Sequence, residues 1–134
     1  MPKRLYSSRH GGRNGRVKRK IFAAQHAKLL IEKRQRALNE ELLKAVMKRD
    51  KSSLLDAHSK GAEIDWRGPS ELTPLMWACR SGFEDIAEAL MDLGAEVNAS
   101  DLFGRRPLDF AVGEKHHGLA GKLKARGAEE GVVI

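Results

Sequence analysis

The sequence predicts an all-α protein: a short solenoid of stacked helix-turn-helix units, preceded by a long basic helix and an irregular N-terminal arm. Three observations predict it. Structurally demanding residues recur with a period of 33, the span from Val17 to Lys60 contains neither Gly nor Pro, and the positive charge is concentrated at the start of the 134-residue chain. At this length an extended tail leaves room for about three units, near the minimum at which an array of mutually buried repeats is stable.

The repeat is seen most fully in Thr73-Pro74-Leu75-Met76-Trp77-Ala78-Cys79-Arg80-Ser81-Gly82, followed by Ala87-Glu88-Ala89-Leu90 and Gly94-Ala95-Glu96-Val97-Asn98-Ala99. A gapless shift of 33 aligns Leu42, Leu75 and Leu108; Ala45, Ala78 and Ala111; and Gly61-Ala62, Gly94-Ala95 and Gly127-Ala128. Ile64 falls on Val97 and Pro74 on Pro107. A glycine just after a helical pattern suits the positive φ of a helix C-terminus, and a proline at a helix start occupies a turn whose N–H has no intrahelical partner. This pattern resembles the ankyrin-repeat family over residues 38–128. The resemblance implies helix pairs stacked side by side, with protein binding through the loop tips and the inner face of the first helices.

Each segment has its own physical warrant. Residues 1–17 are rich in Gly, Ser, Arg and Lys and too poor in apolar side chains to fold alone, so an irregular arm is expected. Residues 18–38 carry strong helix formers, with Ile21, Ala24, Lys28 and Ile31 at helical spacing beside Phe22, His26, Leu29 and Leu30. Asn39-Glu40-Glu41 offers an N-cap with acids in the first turn. Two readings therefore stand here, a break near 37–39 or a continuous helix from about 18 to 49.

The repeat domain then spans 39–128, divided as 39–67, 68–100 and 101–128. Its helices are expected near 39–48 and 52–60, then 73–81 and 84–93, then 106–113 and 116–126. The first unit lacks Thr-Pro-Leu, as terminal units often do. Gly113, Gly118 and Gly121 each weaken the last unit by about 1 kcal/mol relative to Ala, so this end should be the softer one. The tail 129–134 ends in Val132-Val133-Ile134, apolar enough to cover the last repeat or to add to a partner. Departures from the family pattern are Met76 and Asp109 where His follows Pro-Leu, Arg106 where Thr precedes Pro, and Gly68-Pro69-Ser70-Glu71 at the first tip. They place the regular hydrogen bonding of the tips in question and leave the stacking intact.

The same residues argue against an enzyme. Gly11-Gly12-Arg13-Asn14-Gly15 precedes no strand and lacks the Lys-Ser or Lys-Thr of a phosphate loop. Adjacent histidines, His116 and His117, diverge by about 100° on a helix and have no further ligand at suitable spacing, so neither a metal nor a cofactor is expected. Cys79 and Ser81 have no base or orienting acid in view. Cys79, a lone cysteine on a packing face, suits a reducing, intracellular setting. No apolar run is long enough to span a bilayer and no secretory signal is seen, so a soluble protein is expected.

Two surfaces remain as binding candidates. The resemblance places protein contacts at Arg67, Ser70 and Leu72 around the first tip, at Arg80 and Ser81 on the following helix, and at Leu102, Phe103 and Arg105 around the second. Trp66 stands at the edge of the first tip where a small residue is usual. Aromatics beside Arg are the residue types that dominate interface energetics. The alternative is that Trp66 and Phe103 fold inward onto neighbouring repeats.

The second surface is electrostatic. Residues 1–37 hold twelve Lys and Arg against one acid, Glu32, whereas the rest of the chain holds thirteen against seventeen, within a net charge of +7. Lys3, Arg4, Arg9, Arg13, Arg16, Lys18, Arg19, Lys20 and Lys28 precede that acid, a strip suited to RNA phosphates through counterion release, or to an acidic protein surface. Tyr6, His10 and Phe22 add rings that can stack on bases. Lys3-Arg4 with Arg16-Val17-Lys18-Arg19-Lys20 also fits a bipartite nuclear-import pattern, and the acid-free Arg-rich start suits mitochondrial import. The expected protein is thus a non-enzymatic structural or adaptor subunit of a large ribonucleoprotein assembly, or else a free-standing regulator whose arm is a targeting signal.

Overall fold

The computed structural model describes residues 13–131, with side chains from Lys18 onward. Lys3, Arg4 and Arg9 of the basic strip and the apolar tail Val132-Val133-Ile134 lie outside the described residues. Six α-helices and no strands are present among the described residues: α1 (Arg13–Met47), α2 (Lys51–Ser59), α3 (Pro74–Ser81), α4 (Glu84–Asp92), α5 (Pro107–Gly113) and α6 (His117–Ala125). The chain divides into two compact units, Met1–Gln35 and Arg36–Ile134.

In the first unit the helix begins at Arg13, inside the stretch assigned from sequence to the irregular arm. Gly15 costs helix propensity there, but Arg13, Arg16 and Lys18 favour the helix. From Lys18 to Arg34 its side chains are exposed, including Ile21, Phe22, Leu29, Leu30 and Ile31. Phe22 and His26 lie parallel, with ring centroids 6.2 Å apart and planes 3° from coplanar orientation.

The second unit holds the repeats, and the all-α solenoid expected from the sequence is what forms. The break offered at 37–39 is absent, because α1 continues to Met47. The reason lies in Asn39, which is buried and turns its Oδ1 to a loop: the Glu63 N–H donates to it at 2.7 Å. A side chain spent on that bridge is not available to cap a helix start. The C-terminal part of α1, from Asn39 to Met47, forms the first repeat with α2; α3 and α4 form the second, and α5 and α6 the third. Each pair ends in a glycine with positive φ, Gly61 (107°), Gly94 (93°) and Gly127 (89°), where a Cβ would be strained.

Periodicity carries directly into packing. Leu42, Leu75 and Leu108 are essentially inaccessible to solvent, as are Ala78 and Ala111, and Ile86, Leu90, Leu119 and Leu123 join them from the second helices. The small residues let paired helices approach while the leucines fill the space between them. Truncating one such leucine to Ala costs about 2–5 kcal/mol in lost transfer energy and cavity.

The departures from the family pattern turn out to supply the caps. In α3 the Met76 N–H donates to Thr73 Oγ1 at 3.3 Å, and the Thr73 N–H points back to Met76 Sδ at 3.4 Å. In α5 the Arg106 N–H donates to Asp109 Oδ2 at 2.8 Å, and that oxygen also accepts from the Gly131 N–H at 2.9 Å. Successive repeats are further stitched by side chains 33 positions apart. Asp65 accepts from the Glu96 N–H at 3.0 Å, and Asn98 accepts from the Glu129 N–H at 2.8 Å while donating to the Gly127 carbonyl at 3.0 Å. Hydrogen bonds between successive repeats are thus carried by Asp65 and Asn98.

Candidate protein-binding tips

The two tips hold their shape by different means. In the second, Asp101 sits at the centre of the turn with its side chain 2% exposed. Its carboxylate accepts the Phe103 N–H at 2.9 Å, the Arg105 N–H at 2.8 Å and the Arg105 Nε–H at 2.7 Å. Burial opposes ionisation, but the Arg105 and Phe103 N–H donors and the Arg105 guanidinium outweigh it and hold the carboxyl below the usual aspartate range. Gly104 supplies the positive φ, 79°, that lets the turn close.

Arg105 is thereby fixed between two rings. Its guanidinium carbon lies 5.3 Å from the Phe103 centroid and 4.8 Å from that of Phe110. Phe110 is buried, whereas Leu102 and Phe103 are 72% and 60% exposed. Of the two fates open to Phe103, it is the outward one that the structure shows. An exposed apolar pair thus stands beside an Arg whose side chain is held by the turn.

The first tip has Gly68 in the place of Asp101 and no carboxylate to organise it. Trp66 fills the gap instead. A Cβ built on Gly68 would lie 2.8 Å from Trp66 Cζ3 and 3.1 Å from Leu43 Cδ2, so the indole rests against the loop and against α1. Here the inward reading holds, for Trp66 is half-buried. The ring also forms one wall of a groove of about 240 Å³ lined by Glu40, Leu43, Lys44, Met47, Trp66 and Pro69. Ser70 and Glu71 both take positive φ, 68° and 58°, a conformation that costs a side-chain-bearing residue about 1–2 kcal/mol. Arg67 closes the turn by donating from Nη1 to the Glu71 carbonyl at 3.1 Å.

Several sequence-nominated residues need correction or refinement. Leu72 is only 3% exposed and belongs to the core, because the extended residue before Thr73 turns its side chain into the stack; it is not part of the accessible tip. Arg67, Ser70, Arg80 and Ser81 are exposed as expected. Arg80 lies over Trp77, 5.6 Å from guanidinium to ring, and Trp77 was not singled out from sequence although it stands 33 residues before Phe110. That shared repeat position was the signal. Leu43, Met47 and Pro69 were missed as well, since a groove between a helix and a loop has no local sequence signature.

Of the polyanion candidates, Lys18, Arg19, Lys20 and Lys28 are exposed on α1, and Arg13 and Arg16 belong to its first turn. Cys79 is fully buried and burial pushes its thiol up to about 12, so it carries no thiolate near neutral pH. No cluster of His, Cys, Asp and Glu suited to a metal occurs among the described residues. His116 is half-buried rather than a free surface residue: its ring packs on Gly82 and its Nε2 lies 3.2 Å from the Arg80 carbonyl, joining the third repeat to the second. No helix among the described residues is long and apolar enough to cross a membrane.

Stacked helix pairs with glycine-ended second helices and projecting tips define a protein-interaction solenoid. The sequence matches the family described as ankyrin repeats (3 copies) over residues 42–132. The chain belongs to the ankyrin-repeat family, and its repeats serve protein–protein interaction.

Similar proteins carry the same module in varied settings. The chain is 32% identical over 96 residues to the chicken (Gallus gallus) Arf-GAP with coiled-coil, ANK repeat and PH domain-containing protein 2, covering 70% of this chain and 12% of that protein. It is 38% identical over 65 residues to the human (Homo sapiens) cyclin-dependent kinase 4 inhibitor B, covering 48% and 47%. It is 35% identical over 79 residues to the human ankyrin repeat and KH domain-containing protein 1, covering 58% and 3%. In each case the match spans less than half of the relative.

Proposed function

We propose that the protein is a non-enzymatic structural or adaptor subunit of a large ribonucleoprotein assembly. The repeats hold a protein neighbour through Leu102, Phe103, Arg105, Arg80 and the first tip, while the basic arm contacts RNA. The observation that carries this reading is the division of charge, twelve cations against one acid in residues 1–37 and an acidic remainder. A basicity confined to one segment is a partner-directed feature, because solubility alone needs no such segregation. The setting is a reducing compartment, mitochondrial or nuclear.

The test is affinity purification of the full-length chain, with and without residues 1–20, followed by identification of co-purifying protein and RNA. The reading expects RNA recovery to fall when residues 1–20 are removed and a protein neighbour to be retained. Absence of affinity for RNA or any other polyanion at low salt overturns it. Similarity to a kinase inhibitor favours a second reading, a free-standing regulator whose arm is a targeting signal; in that case deletion of residues 1–20 changes location and leaves every binding partner in place.

A further inference from the structure

The exposed part of α1 within the first unit carries more than charge. Lys18, Phe22, His26, Leu29 and Lys33 follow one another at intervals of three or four residues, which sets them on one face of the helix. From Lys18 to Lys33 this face is about 22 Å long. Phe22 is 70% exposed and Leu29 63%, so neither ring nor leucine is held by packing. Phe22 and His26 nevertheless stand parallel, 3° between planes and 6.2 Å between centroids. Their π faces are aligned and open, with a lysine beyond each end of the apolar stretch.

Resting on the polyanion reading above, we infer that this face binds unpaired nucleotides of a single-stranded RNA, with bases stacking on Phe22 and His26 and phosphates meeting Lys18 and Lys33. Charge complementarity selects a polyanion, because no acid occurs in α1 before Glu32. The rings select among polyanions. An acidic protein or a duplex satisfies the lysines and leaves the aligned rings unused, since a duplex buries its base faces in its own stack. A single strand offers both phosphates and free base faces, and stacking on an aromatic side chain is its most common sequence-tolerant contact. A lipid surface needs an apolar side segregated from charge, whereas Ile21, Ile31, Lys20 and Arg34 are distributed around the rest of this helix.

The experiment uses the full-length chain and a fluorescently labelled single-stranded RNA oligonucleotide, read by anisotropy at low salt. Competitors are the same RNA annealed to its complement, heparin, poly-glutamate and phosphatidylserine vesicles. The single strand should compete best. Phe22→Ala should weaken single-stranded RNA about tenfold with heparin affinity unchanged, and Phe22→Trp should restore it. Lys18→Gln with Lys33→Gln should weaken RNA and heparin alike and flatten the salt dependence. The position of Phe22 on an exposed surface leaves the fold intact, which circular dichroism checks. Equal affinity for single strand and duplex with no effect of Phe22→Ala overturns this inference and leaves the polyanion reading standing. Preference for poly-glutamate or vesicles over RNA overturns it too. Failure to bind any polyanion brings down both.

Discussion

The two repeat tips are built at equivalent positions of the same motif and reach order by opposite routes. The second gathers two backbone N–H groups and a guanidinium onto the buried carboxylate of Asp101 and puts its one left-handed residue on a glycine, Gly104. The first has no carboxylate at the position equivalent to Asp101, covers Gly68 with the Trp66 ring and forces Ser70 and Glu71 into left-handed conformations. An internal polar hub leaves apolar side chains free to face outward, as Leu102 and Phe103 do. A hydrophobic lid consumes them, and what it leaves exposed is a groove instead of a projection.

That contrast can be broken most severely at the hub. Asp101→Ala removes the acceptor from three donors, two of them backbone groups in a half-buried turn, and should lower stability by about 3 kcal/mol in urea unfolding while releasing Phe103. Grafting the hub onto the other tip should fail for a steric reason. Gly68→Asp drives a Cβ against the indole and should cost about 1–3 kcal/mol, with a smaller loss in the Trp66→Ala background, as a double-mutant cycle would show.

A gentler change sharpens the comparison. Glu71→Gly relieves one left-handed side chain and should raise stability by about 1 kcal/mol or slightly less, whereas Gly104→Ala at the equivalent position should lower it by about 1–2 kcal/mol. Acid titration separates the tips with the smallest effect. The folded pKa of Asp101 is lowered from 3.8, so its contribution is complete above that value and is lost as pH falls from there through the folded pKa. The chemical shifts of the Phe103 and Arg105 amides should follow that loss, and those of Trp66 and Gly68 should not.

The frame of the molecule was legible because stacking repeats one solution. Leu75 and its partners a period away are buried for the same reason, and no knowledge of distant contacts is needed to align them. Helix α1 was legible in composition, which left a break near 37–39 and continuity through Asn39 as two open readings; the bridge that decides for continuity comes from Glu63, 24 residues away. The candidate binding surface was half legible. Leu102, Phe103 and Arg105 follow from their position in the repeat, but burial of Leu72 and inward folding of Trp66 depend on what lies opposite them in space. The roles of Met76 and Asp109 were hidden because substitution by a different residue type can preserve a function: sulfur and carboxylate both accept the cap N–H.

Burial of Cys79 has a practical consequence. A thiol fully enclosed, with its ionisation pushed up to about 12, is silent toward maleimide at neutral pH. A cysteine placed at Leu102, on the open tip, would be the one reactive position among the described residues. The sequence thus accepts a single spectroscopic label at an exposed position, with its core left untouched.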